Sequence, residues 1–191
     1  MRASLLVFLA VSACARPSTA PVEAARPEVA PKVVAEPMLS AAVPVAPAVG
    51  QAAPDFTLPS LGSDGAIGLS DRKGQVVLVS FWASWCGPCR HEIPALEAVW
   101  KGRRGQGFSV IGVSVDDARE DALGFLSMFP VTYPQSWDQG GHGVADAWGV
   151  QNLPASFLIG QDGVVRHHHI GWNAGTIQET TQEIDALLAQ R

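Results

Sequence analysis

Two cysteines separated by a Gly-Pro pair, Cys86-Gly87-Pro88-Cys89, constrain the fold of this chain more than any other feature. They follow a near-continuous apolar and β-branched run, residues 75–82, which is typical of a strand buried on both faces. Cys86 lies just before, and Cys89 at the start of, residues 88–101, whose apolar side chains have helical spacing. The pattern predicts a core strand, a dithiol at its end and a helix that begins at the dithiol.

The residues around this unit continue the alternation of strands and helices. We predict a hairpin of residues 51–58 and 66–69, strands 108–115, 155–159 and 164–170, and helices 118–129, 143–148 and 174–189. Strands that alternate with helices predict an α/β domain with a mixed central sheet flanked by helices. The turn at residues 161–163 makes the last strand pair antiparallel.

The first residues of the chain resemble an export signal. Arg2 precedes an apolar run at residues 5–11, which is too short for a permanent membrane-spanning helix. Residues 12–14, Ser-Ala-Cys, resemble the lipobox of bacterial lipoproteins, so residues 1–14 are interpreted as a signal peptide and Cys14 as a lipidation site. An ordinary signal peptide that is cut elsewhere is the alternative.

A proline-rich segment separates this signal from the folded part. Residues 15–50 contain seven prolines and no aromatic residue, which predicts a disordered, extended tether without a core of its own. Residues 51–191 then have the size of one domain. The net charge of −5 comes from interspersed charges of both signs, so no basic patch indicates nucleic acid.

Cysteine usage indicates that the dithiol is functional. The chain has three cysteines, so lipidation of Cys14 leaves only Cys86 and Cys89, and no structural disulfide is expected besides this pair. At a helix start, unpaired N–H groups and the helix dipole stabilise the thiolate of Cys86, and Cys89 lies close enough to form a disulfide.

No metal site is expected in this chain. A structural zinc normally takes four ligands, and no second cysteine pair exists. Residues 167–169 are three histidines, but only His167 and His169 share a strand face and no third ligand is evident, so a solvated strand is expected there.

Residues 81–94, FWASWCGPCRHEIP, resemble the active-site segment of the thioredoxin superfamily. They are similar in particular to membrane-tethered, extracytoplasmic thiol–disulfide oxidoreductases of the TlpA/ResA type. Residues 53–56 resemble the opening of that family, residues 112–117 its second core strand, and residues 153–159 its cis-proline loop. The resemblance implies a thioredoxin-like fold with an N-terminal β-hairpin and an inserted helix after the second core strand.

The resemblance also assigns a proton-handling residue. An acidic residue at the position of Glu92 is associated with the dithiol in TlpA/ResA-like proteins. Thioredoxin itself instead carries a buried aspartate at the position of Ser80, which cannot titrate. We therefore expect Glu92 to act with Cys86 and Cys89 in catalysis. A solvated helix glutamate is the alternative.

Five residues are expected to contact substrate. The resemblance implies that Pro154 is cis and faces Cys86, and that the Leu153 backbone pairs with an extended substrate segment; a trans proline that starts an edge strand is the alternative. Trp85 is expected to form an exposed rim, or else to pack in the core. Gly87 and Pro88 lie between the two cysteines.

The implied function is protein-disulfide oxidoreduction without a cofactor other than the redox-active disulfide. The Gly-Pro pair matches thioredoxin, a reductant with a potential of about −270 mV. Expected partners are disulfide-containing exported proteins such as apocytochromes c, an integral-membrane thiol donor and the membrane itself, through a lipid anchor. We expect a monomer that is anchored on the periplasmic side of the outer or inner membrane. Ala15 follows Cys14, so the Asp that would retain a lipoprotein at the inner membrane is absent and the outer membrane is possible. A lipid-tethered binding module or a copper metallochaperone is the alternative, and peroxide reduction is a weaker one.

Overall fold

The computed structural model describes residues 46–190. Cys14, the signal segment and most of the predicted tether lie outside the described residues. The last tether residues within this range already pack on the domain: the Gly50 N–H donates to the Val165 carbonyl over 2.8 Å, and Ala46 contacts the core. Residues just before the predicted start at residue 51 therefore also pack on the domain.

The order of elements matches the predicted alternation of strands and helices. The described residues form β1 Thr57–Pro59, β2 Ala66–Gly68, β3 Val76–Trp82, α1 Cys89–Arg103, β4 Phe108–Ser114, α2 Arg119–Met128, β5 Gln135–Trp137, α3 Val144–Ala147, β6 Ala155–Ile159, β7 Val165–Ile170 and α4 Ala174–Leu188. The predicted hairpin is β1 and β2, which form a two-stranded antiparallel sheet of their own. The predicted inserted helix is α2, which follows the second core strand.

The central sheet has five strands in the order β5-β4-β3-β6-β7. β3 pairs parallel with β4, which pairs parallel with β5. β6 pairs antiparallel with β3 and with β7. This mixed sheet confirms the predicted fold class and places the dithiol at the carboxyl end of the central strand, β3.

Strand β5 is absent from the sequence-based prediction. Its three residues, Gln135, Ser136 and Trp137, are largely polar, and they show neither an apolar run nor clear alternation. The strand exists because it pairs with Gly112–Ser114 of β4, so a tertiary contact creates it where local sequence preference is weak.

The two faces of the sheet carry separate apolar clusters. Val77, Val79 and Phe81 of β3 face one side, where Trp148 and Phe157 pack edge to face with ring centroids 5.0 Å apart. The alternate β3 residues Val76 and Leu78 face α1 and α4 on the other side. A third cluster surrounds Trp82 and both cysteines, so the redox pair is built into the core. Within residues 46–190, none of the helices combines the length and apolar character required to cross a membrane.

The histidine strand is half-buried, which differs from the expected solvated strand. His167 Nδ1 and His169 Nε2 lie 2.8 and 2.7 Å from the two carboxylate oxygens of Glu183 on α4. His168, which points to the other face, stacks on Phe157 with ring centroids 4.0 Å apart. The face alternation is therefore as predicted, but α4 covers one face.

Candidate active site

Cys86 and Cys89 form a disulfide at the start of α1, with their Cα atoms 5.4 Å apart. The exposed fraction is 4% for Cys86 and zero for Cys89, so only Cys86 reaches the surface. The Cys89 backbone N–H points at Cys86 Sγ over 3.3 Å. An N–H donor at a helix start favours a thiolate at this sulfur once the bond is reduced. The two cysteines therefore differ slightly in burial: Cys86 keeps a small exposed surface and Cys89 has none.

Asp116 holds the loop that carries Cys86, a role that the sequence prediction missed. Its carboxylate accepts hydrogen bonds from the Ser84 backbone N–H at 3.0 Å and from the Ser84 hydroxyl at 2.7 Å. Ser114 donates to its other oxygen at 2.8 Å. Because parallel strands β3 and β4 end at the same edge of the sheet, an acidic residue two positions after β4 lies beside the loop after β3. That position was the available sequence signal.

Glu92 lies one helical turn beyond Cys89 and is 3% exposed, which excludes the solvated alternative. The Ser80 hydroxyl donates to Glu92 Oε2 over 3.1 Å. Burial raises the pKa of Glu92 from 4.5 to about 7, and the Ser80 hydrogen bond partly opposes the rise. Ser80, which cannot titrate itself, is therefore the hydrogen-bond partner of the candidate acid. A carboxyl group with a pKa near neutrality is suited to accepting and returning a proton.

Three of the expected substrate-contacting residues are exposed next to the cysteines. Trp85 is 68% exposed, and Gly87 and Pro88 are also exposed. The Leu153–Pro154 peptide bond is cis. Leu153 packs against the cluster that contains both cysteines, and Trp85 and Leu153 line one cavity of about 240 Å³. The structure therefore brings Trp85 and Leu153 together beside the redox pair.

The side chains of residues 46–190 do not form a metal-binding site. No group of three or more His, Cys, Asp or Glu side chains in this range is arranged to hold a metal ion. Glu183 is the carboxylate that the sequence did not reveal beside His167 and His169, but it is already hydrogen-bonded to both rings. This cluster links β7 to α4.

Known proteins resemble this chain across the described domain. The model of the AhpC/TSA family matches residues 49–168. The thioredoxin-like protein YneN of Bacillus subtilis is 32% identical over 139 residues, covering 71% of this chain and 78% of YneN. Thiol-disulfide oxidoreductase ResA of Bacillus anthracis is 30% identical over 139 residues, covering 73% of this chain and 76% of ResA.

A solved structure shares the fold. The Chlorobium tepidum protein provisionally named thiol:disulfide interchange protein DsbE is 36% identical, with a TM-score of 0.71 over 75% of this chain and 99% of the other. The Cys86–Cys89 disulfide supplies the chemistry that these names describe. This chain belongs to the AhpC/TSA family and is a thiol–disulfide oxidoreductase of the ResA/DsbE type with a thioredoxin-like fold.

Proposed function

We propose that this oxidoreductase reduces disulfides of exported proteins through the Cys86–Cys89 dithiol. The observation that carries the proposal is the arrangement at the start of α1, where Cys86 reaches the surface, Cys89 is buried and Glu92 lies one turn deeper. This arrangement supports the assignment of Cys86 as the nucleophile, Cys89 as the resolving thiol and Glu92 as the proton acceptor.

The reaction balances without a cofactor. The Cys86 thiolate attacks one sulfur of a substrate disulfide, which breaks the substrate S–S bond and releases one substrate thiolate. Cys89 then gives its proton to Glu92 and attacks Cys86 Sγ in the mixed disulfide. The Cys86–Cys89 bond forms, the second substrate thiolate leaves, and two electrons have passed to the substrate. Trp85 and the Leu153–Pro154 loop hold the substrate segment during both steps.

The direction of electron flow and the cellular setting belong to the same proposal. The Gly87-Pro88 pair matches thioredoxin, whose potential of about −270 mV favours reduction. The signal-like segment and Cys14 support a lipid anchor outside the cytoplasm, on the outer or inner membrane. We propose that the protein acts there as a monomer. Apocytochromes c are suitable substrates, and an integral-membrane thiol protein is the expected electron donor.

Insulin reduction by the full chain tests the catalytic proposal. We expect the full chain to accelerate the reduction of insulin disulfides by dithiothreitol. The acceleration should be lost in Cys86→Ser and retained in the matched variant Cys14→Ser. Cys14→Ser is also expected to leave the membrane fraction, which tests the anchor separately. A chain that binds copper stoichiometrically and does not reduce insulin would instead be a binding module. Consumption of hydrogen peroxide in the absence of protein disulfides would support a peroxidase.

The reduction potential of the pair tests the direction. Equilibration with glutathione followed by thiol alkylation gives the oxidised fraction of Cys86 and Cys89. A potential near that of thioredoxin supports a reductant, whereas a potential near that of DsbA, about −120 mV, contradicts it.

A further inference from the structure

A buried polar row crosses three strands of the central sheet below the dithiol. Ser80 of β3 is in register with Gly112 of β4, and Gly112 is in register with Gln135 of β5. Neighbouring strands lie about 4.8 Å apart, so these positions are direct neighbours on the face that α1 covers. The row ends at Glu92, because the Ser80 hydroxyl donates to the Glu92 carboxyl group.

Gly112 allows the Gln135 amide to lie inside this row. A Cβ atom at residue 112 would lie only 2.6 Å from Gln135 Nε2 and 2.6 Å from Gln135 Cδ, which shows that the amide occupies the space above the glycine. Gln135 Oε1 accepts a hydrogen bond from Trp82 Nε1 at 2.9 Å. This bond engages the amide oxygen and leaves the amide nitrogen as a donor.

Two neighbouring donors in this region lack a well-aligned hydrogen bond to any described residue. Gln135 Nε2 and the Tyr133 hydroxyl make no bond of good geometry within residues 46–190, although Gln135 is only 7% exposed and Tyr133 only 2%. The two groups lie close enough for the Gln135 amide to lower the pKa of Tyr133. Leaving a buried polar group unpaired is unfavourable, so such groups normally serve a partner that is present in some state of the protein. An ionised Glu92 is a partner of the required kind, because a carboxylate accepts several hydrogen bonds.

The charges around the row favour this partner. The titratable groups that face it are Glu92 and Glu97 of α1 and Tyr133. Burial raises the pKa of Tyr133 well above its usual range, and the Glu92 carboxylate raises it further, while the Gln135 amide partly opposes the rise. Tyr133 therefore remains a hydroxyl donor when Glu92 ionises. Tyr133 and Gln135 also line a cavity of about 580 Å³, whose one charged lining residue in the described chain is Arg72. The row therefore connects the buried carboxyl group with an open cavity.

We propose that Gln135 is a positioning residue of the redox site, whose amide, together with the Tyr133 hydroxyl, supplies the donors that allow the buried Glu92 to ionise. The role in catalysis rests on the proposed function, in which Glu92 takes the proton of Cys89. When Glu92 passes that proton to solvent in the cavity, a negative charge remains in the core. Ser80 supplies one hydrogen bond to it, and Gln135 and Tyr133 supply the others.

Direct titration of Glu92 tests this role. The oxidised full chain is labelled with ¹³C at glutamate carboxyl groups and titrated by NMR through the acid and neutral range. The Glu92 signal is identified by its absence in Glu92→Gln. We compare the wild type with Gln135→Leu, which removes the amide, and with Gly112→Ala, which displaces it. Ser136→Ala is the matched control, because its hydroxyl donates to the Gly112 carbonyl from the same strand.

We expect Gln135→Leu and Gly112→Ala to raise the pKa of Glu92 by about one pH unit, the shift expected when a charged group loses one hydrogen bond. Ser136→Ala should leave it unchanged. An unchanged Glu92 pKa in Gln135→Leu overturns the proposal, and Gly112→Ala decides if that variant does not fold. Because the disulfide form has no titrating thiol, this result is independent of whether Glu92 serves the dithiol. A separate measurement tests whether Glu92 accepts the proton of Cys89. If the thiols of Cys86 and Cys89 titrate in the reduced Glu92→Gln variant as they do in the wild type, Glu92 does not have this catalytic role.

Discussion

The buried Glu92 makes the stability of the oxidised protein depend on pH in a defined direction. Its pKa is about 7 in the folded chain, against 4.5 for the ordinary side chain. Between these two values the folded state binds more protons than the unfolded state, so the free energy of unfolding falls as the pH rises. The contribution of Glu92 is complete below pH 4.5 and is lost by the time the pH has passed the folded pKa of about 7.

The size of this loss follows from the pKa shift. One pH unit corresponds to about 1.4 kcal/mol, so a shift of this size corresponds to about 3 kcal/mol. Because Glu92 is almost completely buried, solvent screening reduces this figure little. Glu92→Gln replaces the carboxyl group by a neutral amide of similar shape and removes the dependence. As the pH is raised from acid to mildly alkaline, the free energy of unfolding of the variant should therefore rise by about 3 kcal/mol relative to that of the wild type.

Urea unfolding of both oxidised proteins at a series of pH values measures this difference. Taking the difference between the two proteins cancels the contributions of all other titratable groups. Glu120→Gln, which changes an exposed glutamate, is the matched control and should follow the wild type throughout. A difference between Glu92→Gln and the wild type that stays constant with pH would refute the assignment of a raised pKa to Glu92.

Three further predictions follow from the contacts at and around the site. Asp116→Ala removes the hydrogen bonds to Ser84 and should lower the free energy of unfolding by about 2 to 3 kcal/mol, measured by urea unfolding against the exposed neighbour Asp117→Ala. Trp85→Ala should raise the KM for insulin severalfold without changing thermal stability or the reaction of the reduced protein with a small disulfide, because the side chain is exposed beside Cys86; an unchanged KM would contradict a docking role. Glu183→Ala should lower the melting temperature through loss of the contacts between β7 and α4, while an equal effect of the exposed Glu179→Ala would show that these contacts are unimportant.

Glu92 shows how much of the site could be predicted from the sequence. Its spacing from Cys89 placed it one turn deeper on the same helix. The resemblance to TlpA/ResA-type proteins, together with Ser80 in place of a titratable residue, implied its proton-handling role. Whether it was buried or solvated depended on which strand the helix covers, and helical periodicity does not determine that. The partner hydroxyl of Ser80 became visible only when α1 was packed on β3.

Strand β5 is an element that the local sequence could not predict. Apolar runs predicted β3 and β4 because both are buried along their whole length. Residues Gln135–Trp137 carry no such signal, because polar residues are normally exposed, whereas Gln135 and Ser136 are buried here by contacts with other strands. The Gln135 side chain lies above Gly112 and binds Trp82, a contact across 53 residues of sequence. No window of local sequence contains both partners.

The sequence by itself determined the class of chemistry and its place in the chain. A dithiol between an apolar strand and a helix start, with no other cysteine in residues 51–191, already specifies an α/β redox domain, because strand and helix periodicity and thiolate stabilisation are local properties. The tertiary structure alone decided the surroundings of the dithiol. It buried Glu92, placed Asp116 below the Cys86 loop and aligned Ser80, Gly112 and Gln135 across three strands. These features depend on groups far apart in sequence, and burial changes their proton affinity and hydrogen bonding only after the strands and helices have packed.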